Sequence, residues 1–345
     1  MMKLSNFKFT RRAMFGLVGG VMATTAALPG FVAEAQAQTT LRLAVADPGQ
    51  SSVGRAASRF AELVDEKTSG EVQFQVFPDG VLFGKDQNAA VNQLGSGALD
   101  GLILASSVYA SFEPRMNAIS LPYLFKDYDQ LQGYLAGEPG QTLLASLDDL
   151  DIHGLGFFIR TFRNVTSRET PITALEDFEG VTLRTPNNPL FVQLFDALGA
   201  NPTPMAFSEV YSALQLEAID GQENPVEVPW NNKFYEVQNH LNMTQHLADS
   251  YVLALSNNAW EQIPEEHRAA VEEAAAQMIK EHDAEEIAQE EEIIEKLKGE
   301  GMQVNRFSDG ELEKTQEVAR GIYDQFREQI GSDFMDQSLE FVQNN

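Results

Sequence analysis

Between Thr40 and Leu104 short extended runs alternate with helical ones, and few architectures accommodate that rhythm. Leu41, Leu43 and Val45 alternate with polar neighbours, which predicts a strand over Thr40–Ala46. Asp47-Pro48-Gly49-Gln50-Ser51-Ser52 reads as a turn, and either serine can cap a helix over Val53–Thr68. That helix places Val53, Ala56, Ala57, Phe60, Leu63 and Val64 on one face, and Gly70 stops it. Val72–Phe77 reads as a second strand and Lys85–Leu94 as a second helix, and Gly97–Leu104 runs through a loop into a buried strand. Strand, helix, strand, helix in this order argues for a parallel sheet covered by helices.

Further on, Asp129–Ala136 and Gly140–Leu150 predict helices, and the apolar run His153–Ile159 predicts a central strand. Tyr251–Leu255 is another buried strand. A long helix is expected from Ile263-Pro264, with thirteen Asp/Glu and four Lys/Arg between 265 and 300. Its apolar positions, Val271, Ala275, Met278, Ile293, Ile294 and Leu297, thin out between His282 and Gln289, as in a solvated helix packed by one face. Glu311–Phe326 and Asp333–Phe341 complete the helices. A chain of 345 residues is long enough for two domains.

The N-terminus has the pattern of an export signal. Lys3, Lys8, Arg11 and Arg12 precede the apolar stretch Ala13–Leu28, followed by Ala33-Glu34-Ala35-Gln36-Ala37. Cleavage is expected after Ala37, with Ala35 as the alternative, by the twin-arginine or the Sec route, giving a periplasmic protein. The stretch is short and glycine-rich for a membrane span. The chain has no cysteine, so disulfides, thiolate metal sites and cysteine nucleophiles are excluded. Net charge is −27; residues 1–37 contribute +3, so the remainder carries −30. Such a surface repels nucleic acid and anionic lipid.

Within Val181–Pro229, Arg184 ends an apolar run just before Pro186, and Leu190–Leu198 then reads as a helix. An arginine at a strand-to-helix junction directs its planar donor fork into the crevice beyond the strand ends, where open α/β sheets bind ligands. The segments Leu183-Arg184-Thr185-Pro186-Asn187, Pro202–Val210 and Asp220-Gly221-Gln222-Glu223-Asn224-Pro225 together resemble the signature of the periplasmic solute-binding proteins of tripartite ATP-independent periplasmic (TRAP) transporters, the DctP type. Val76-Phe77-Pro78-Asp79, Gln93–Asp100, Leu121–Phe125, Arg163–Ser167 and Lys233–Gln238 extend the resemblance from about Leu41 to the C-terminus.

The resemblance implies an α/β, periplasmic-binding-protein-like fold: two lobes around a hinged cleft, with long C-terminal helices. The lobes are expected to be discontinuous, 38–160 plus 250–289 and 161–249 plus 290–345. It assigns Arg184 to the ligand carboxylate, with a salt bridge to a protein acid as the alternative. Asn187 would help hold the same group, or cap the helix that follows. Asn224, fixed in extended backbone before Pro225, would turn its amide to the cleft. Arg163 matches a second family arginine, and Phe207 an aromatic packed on the ligand or into the core. Members that bind sialic acid carry an asparagine after the first strand and a glutamate after the third. Here the corresponding positions are Ser52 and Ala105. Ser52 is a further ligand-binding candidate, and Ser106, Ser107, Glu227 and Trp230 are candidates for the selective wall; Trp230 could equally fill the core.

The function expected is capture of a small organic acid, a sugar acid or C4-dicarboxylate, by a monomeric protein that delivers it to TRAP membrane subunits without cofactor or metal. Another oxo or hydroxy acid or an ectoine-like zwitterion is the alternative cargo. An exported enzyme is the alternative class, yet the five histidines have no metal-ligand spacing, and no nucleophile elbow, phosphate loop or dinucleotide motif is present.

Overall fold

The computed structural model describes residues 38–345, so the reading of residues 1–37 as an export signal lies outside the described residues. In chain order the strands are β1 (Thr39–Val45), β2 (Val72–Phe77), β3 (Gly101–Ala105), β4 (Ile152–Ile159), β5 (Arg163–Ser167), β6 (Thr182–Thr185), β7 (Asn201–Pro204), β8 (Gly221–Asn224), β9 (His240–Leu247), β10 (Ser250–Ser256) and β11 (Gln303–Arg306). They form two mixed sheets, ordered β2-β1-β3-β10-β4 and β11-β9-β5-β8-β6-β7.

The expected parallel arrangement holds for β1 with β2 and with β3. β10 then enters antiparallel between β3 and β4. β4 is therefore an edge strand and not a central one. Its apolar run reflects burial of its two faces, which is independent of lateral position in the sheet. Two helices, Ser52–Lys67 and Glu265–Gly299, cover one face of the first sheet, burying Leu43, Phe60, Leu63, Val64, Val271 and Met278 together. Ser51 caps the first of these by accepting from the Gly54 amide.

The chain passes between the sheets three times: at residues 160–162 from β4 to β5, at 248–249 from β9 to β10, and along the helix Glu265–Gly299 to β11. This helix is not simply solvated. Where its apolar positions thin out it buries His282, Asp283 and Glu286. Asp283 Oδ1 accepts from the Ile159 amide at 2.9 Å, and His282 Nε2 donates to the Ile159 carbonyl at 3.3 Å. Glu290 Oε2 accepts from Tyr128 Oη at 2.8 Å. The polar stretch satisfies backbone that β4 exposes as it leaves its sheet, a need that an apolar helix face could not meet.

Five strands, β5, β7, β8, β9 and β11, were not anticipated. β7 contains Pro202 and Pro204 and sits at the sheet edge, where proline is tolerated. β9 and β11 are rich in polar residues because they pair through backbone while their side chains hydrogen-bond, as Asn305 Nδ2 does to Asn242 Oδ1 at 2.8 Å. The expected helix Glu311–Phe326 is broken at Gly321-Ile322 into Asp309–Arg320 and Tyr323–Ile330.

Candidate functional site

The crossing at residues 160–162 and the C-terminal ends of β3, β6 and β8 converge on one cleft. Its outer part, a cavity of 340 Å³, is lined from the first sheet's side by Lys85, Gln87 and Ser107 and from the second by Arg184, Asn187 and Phe207. It continues into a narrow inner chamber of 40 Å³ bounded by Asp47, Arg160, Arg163, Arg184, Asn224 and Tyr251. The chamber has room for a carboxylate or a few waters.

Arg184 lies near the end of β6. Although it lines the cleft it is only 3% exposed, so the walls already cover it. Its Nε and Nη2 both donate to the Met205 carbonyl, at 3.1 and 2.7 Å, and its guanidinium lies 5.9 Å from the Phe207 ring centre. Among the described residues it forms no salt bridge, so the alternative of a protein-acid partner is not realised. Burial pulls its pKa down to about 10; the Glu223 charge opposes that shift and the Arg163 charge adds to it.

Arg163 is in the opposite situation. Its Nε and Nη2 form a fork on the Glu223 carboxylate, at 2.6 and 2.8 Å, and Nη1 donates to Asp249 Oδ2 at 2.9 Å. Nη2 also reaches Asn224 Oδ1 at 3.1 Å. Burial alone would raise the Glu223 carboxyl, but the Arg163 charge and hydrogen bonds, with His246, hold it down at about 2. Arg163 thus keeps its carboxylate partners within the protein, and its fork fixes the Asn224 amide at the chamber wall. Asn224 Nδ2 in turn donates to Gln222 Oε1 at 2.6 Å.

Asn187 is exposed at the outer cavity, and the helix cap is its neighbour Asn188. Asn188 Oδ1 accepts from the Leu190 amide at 2.9 Å, while its Nδ2 crosses to the Ser107 carbonyl at 3.1 Å and Asn117 Oδ1 at 2.9 Å. Placing the cap one residue later leaves the Asn187 side chain facing the cleft. Phe207 is half-buried: one side contacts the cleft, and the ring lies 6.2 Å from Phe234 in a small apolar cluster.

The remaining candidates fall elsewhere. Ser106 Oγ donates to Asp249 Oδ1 at 2.9 Å, holding a buried carboxylate and not lining the cleft. Ser52 lies beside the buried Glu286 carboxyl, outside the cleft lining. Trp230 stacks near Tyr235 and packs on Val226, Leu241 and Ile294, with Lys296 Nζ 5.7 Å from its ring centre. Core packing explains it.

Sequence reasoning missed Arg160 and Asp249. Arg160 lies over the Tyr251 ring at 4.6 Å and donates from Nη1 to Asp249 Oδ2 at 3.0 Å. Asp249 also accepts from Ser106, Ser107 and Arg163, which makes it the common anchor of the crossings at 160–162 and 248–249. The signal was present. Arg160 ends the apolar run His153–Ile159 as Arg184 ends its own, and Asp249 is a lone acid directly before a buried strand.

The arrangement offers one buried guanidinium without a carboxylate partner, framed by amides and an aromatic ring. That is a site for holding an anion. The family model for the bacterial extracellular solute-binding proteins, family 7 (DctP), matches residues 44–329. The 2,3-diketo-L-gulonate-binding periplasmic protein YiaO of Escherichia coli is 31% identical over 280 residues, covering 81% of this chain and 84% of that protein. The crystal structure of the sugar acid binding protein DctPAm from Advenella mimigardefordensis, in complex with galactonate, superposes with a TM-score of 0.85 at 28% identity, covering 89% of this chain and 98% of that one. A TRAP periplasmic solute-binding protein from Chromohalobacter salexigens with bound D-glucuronate gives a TM-score of 0.83 at 31% identity, covering 88% and 99%. Fold, cleft and sequence agree, and the chain belongs to the DctP family of TRAP-transporter solute-binding proteins.

Proposed function

We propose that the protein captures a sugar acid in the periplasm and delivers it to TRAP membrane subunits. The observation that carries this reading is the buried Arg184 guanidinium, which among the described residues has no carboxylate within salt-bridge distance, in so acidic a chain. A ligand carboxylate completes it, in bidentate geometry, at the junction of the inner chamber and the outer cavity. Asn224 and Asn187 bind polar groups beside that carboxylate, Phe207 covers an apolar face of the ligand, and Arg163 positions Asn224.

Sugar acids fit because the walls beyond Arg184 are rich in hydroxyl partners: Asp47, Gln87, Asn88, Ser107 and Asn187. The relatives named above bind diketogulonate, galactonate and glucuronate, which supports the same class here. Residues 38–160 with 250–289 and 161–249 with 290–345 act as the two lobes, closing on the ligand about the Arg160–Phe162 and Ala248-Asp249 crossings. The protein works as a non-catalytic monomer after export and removal of residues 1–37.

A thermal-shift and calorimetric panel of aldonates, uronates, C4-dicarboxylates and neutral sugars tests this. A sugar acid at about 100 times its Kd stabilises the protein by about 2.7 kcal/mol. Absence of any shift from every carboxylate, with the protein folded, overturns the reading. A shift confined to dicarboxylates replaces the cargo and leaves the clamp.

A further inference from the structure

A second cavity, of 510 Å³, shares no lining residue with the cleft. It lies where Phe162, on the first crossing, meets the loop Tyr123–Lys126, the end of β9 and the helix Asp309–Arg320. We propose that this cavity is a second binding site, for a small organic anion with an apolar body, such as an aromatic carboxylate.

Its charge is the first argument. Lys126, Arg306 and Arg320 are the charged residues lining it, and no Asp or Glu does. Beyond residues 1–37 the chain has 20 Lys/Arg (24 less 4) and 50 Asp/Glu (51 less 1), so an all-cationic rim runs against composition. Neither arginine forms a salt bridge among the described residues. Lys126 Nζ and Arg320 Nη2 each donate to a main-chain oxygen, of Asn345 at 3.0 Å and Tyr123 at 2.9 Å. The Arg306 guanidinium has no protein hydrogen-bond partner there and is exposed to receive an anion bidentately.

The walls give the second argument. Below the cations the cavity is floored by Phe125, Phe162, Phe307 and Leu312, and its size is that of a small-molecule site. Tyr123, only 8% exposed, lines it, and its phenol hydroxyl is buried without a hydrogen-bond partner among the described residues. A buried donor without a partner is costly, so this wall carries an unmet polar group beside the cavity. Tyr123 (φ 53°) and Gln245 (φ 45°) both occupy the left-handed region on this wall. Such backbone outliers in bulky residues cluster at binding sites, where the surroundings hold them in place.

The experiment titrates the purified protein with benzoate, with neutral benzyl alcohol as control, following backbone amides by NMR. It is repeated in Arg184→Ala, which disables the cleft, and in the double variant Lys126→Gln/Arg306→Gln. The expected result is saturable benzoate binding, with shifts centred on Tyr123 and Gln245, that survives Arg184→Ala. It weakens about tenfold or more in the double variant, the loss expected for charged hydrogen bonds at an accessible site. Both substituted cations are exposed, so the double variant folds, and unchanged cleft ligand binding verifies it. Benzoate binding that disappears with Arg184→Ala, that is unaffected by the double substitution, or that is matched by benzyl alcohol overturns the proposal. A failure here leaves the cleft reading intact, because the two sites share no residue.

Discussion

Arg184→Met is expected to stabilise the unliganded protein while abolishing its function. The native guanidinium is charged in the folded and unfolded states at neutral pH, but in the folded protein burial lowers its pKa from the ordinary arginine range to about 10. At about 1.4 kcal/mol per unit, the folded state bears a cost of about 3 kcal/mol for that charge. Methionine removes the cost and fills the space of the aliphatic stem. It also leaves the Met205 carbonyl without its two donors, which returns about 1–2 kcal/mol. The net expectation is a gain of about 1–2 kcal/mol, or a rise in Tm of about 2–5 °C. Ligand binding moves the other way, weakening by about 2–5 kcal/mol, because the carboxylate loses its buried partner. The sign in pH follows. Above about pH 10 the unfolded chain keeps the proton that the folded protein releases, so the wild type gains on the variant as pH rises toward the ordinary arginine range. Paired thermal denaturation and calorimetry, with and without sugar acid, measure both quantities. A Tm several degrees lower in the variant, together with unchanged affinity, would refute the argument and make Arg184 a structural residue.

Glu223→Gln should lower stability at pH 7 by about 3–5 kcal/mol, since it leaves the buried Arg163 charge without its fork partner. The wild-type Glu223 carboxyl is held at about 2, so its contribution is full above about 4.5 and is lost as pH falls toward 2; the variant should lack that limb of the acid-denaturation curve. Glu286→Gln should act with the opposite sign. Burial, with the nearby Glu227, pushes the Glu286 carboxyl up to about 8. Native stability therefore falls as pH rises from about 4.5 to 8, and the variant should gain over wild type by an amount that grows across that window to about 2–4 kcal/mol, read by urea denaturation at pH 5 and pH 8. Trp230→Phe should leave sugar-acid affinity within about twofold by calorimetry, because the indole packs on Tyr235 and Ile294 away from the cleft. A tenfold loss would return Trp230 to the site.

Period and punctuation disclosed the first sheet's strands and the helices between them, because each lies in a segment whose burial repeats locally. Lateral order was not legible. Nothing in His153–Ile159 shows that β10, almost a hundred residues later, takes the place beside β3 and leaves β4 at the edge. The second sheet was harder because β7, β9 and β11 carry prolines and polar side chains that mask the extended period. At the site, Arg184 was legible because proline follows an apolar run there, and Asn224 because Pro225 fixes its backbone. The division of labour among the arginines was not. Arg160, Arg163 and Arg184 look alike in sequence, and only the positions of Glu223 and Asp249 determine which of them keeps an acid of its own. Asn188 takes the cap in place of Asn187 because Pro189 begins the helix at the next position.

The two prolines of β7 also bear on how this chain avoids its own copies. β7 bonds to β6 through alternate amides: Asn201 donates to Val181, and Met205 to Thr185. The intervening amides, at positions 202 and 204, would point outward from the open side of the sheet, and both belong to proline. A strand of another molecule arriving there finds carbonyls but no N–H groups at these positions, so a continuous ladder cannot form. Sheet-to-sheet polymerisation through this margin is blocked by the backbone chemistry itself. That protection is independent of net charge and does not weaken when salt screens the acidic surface.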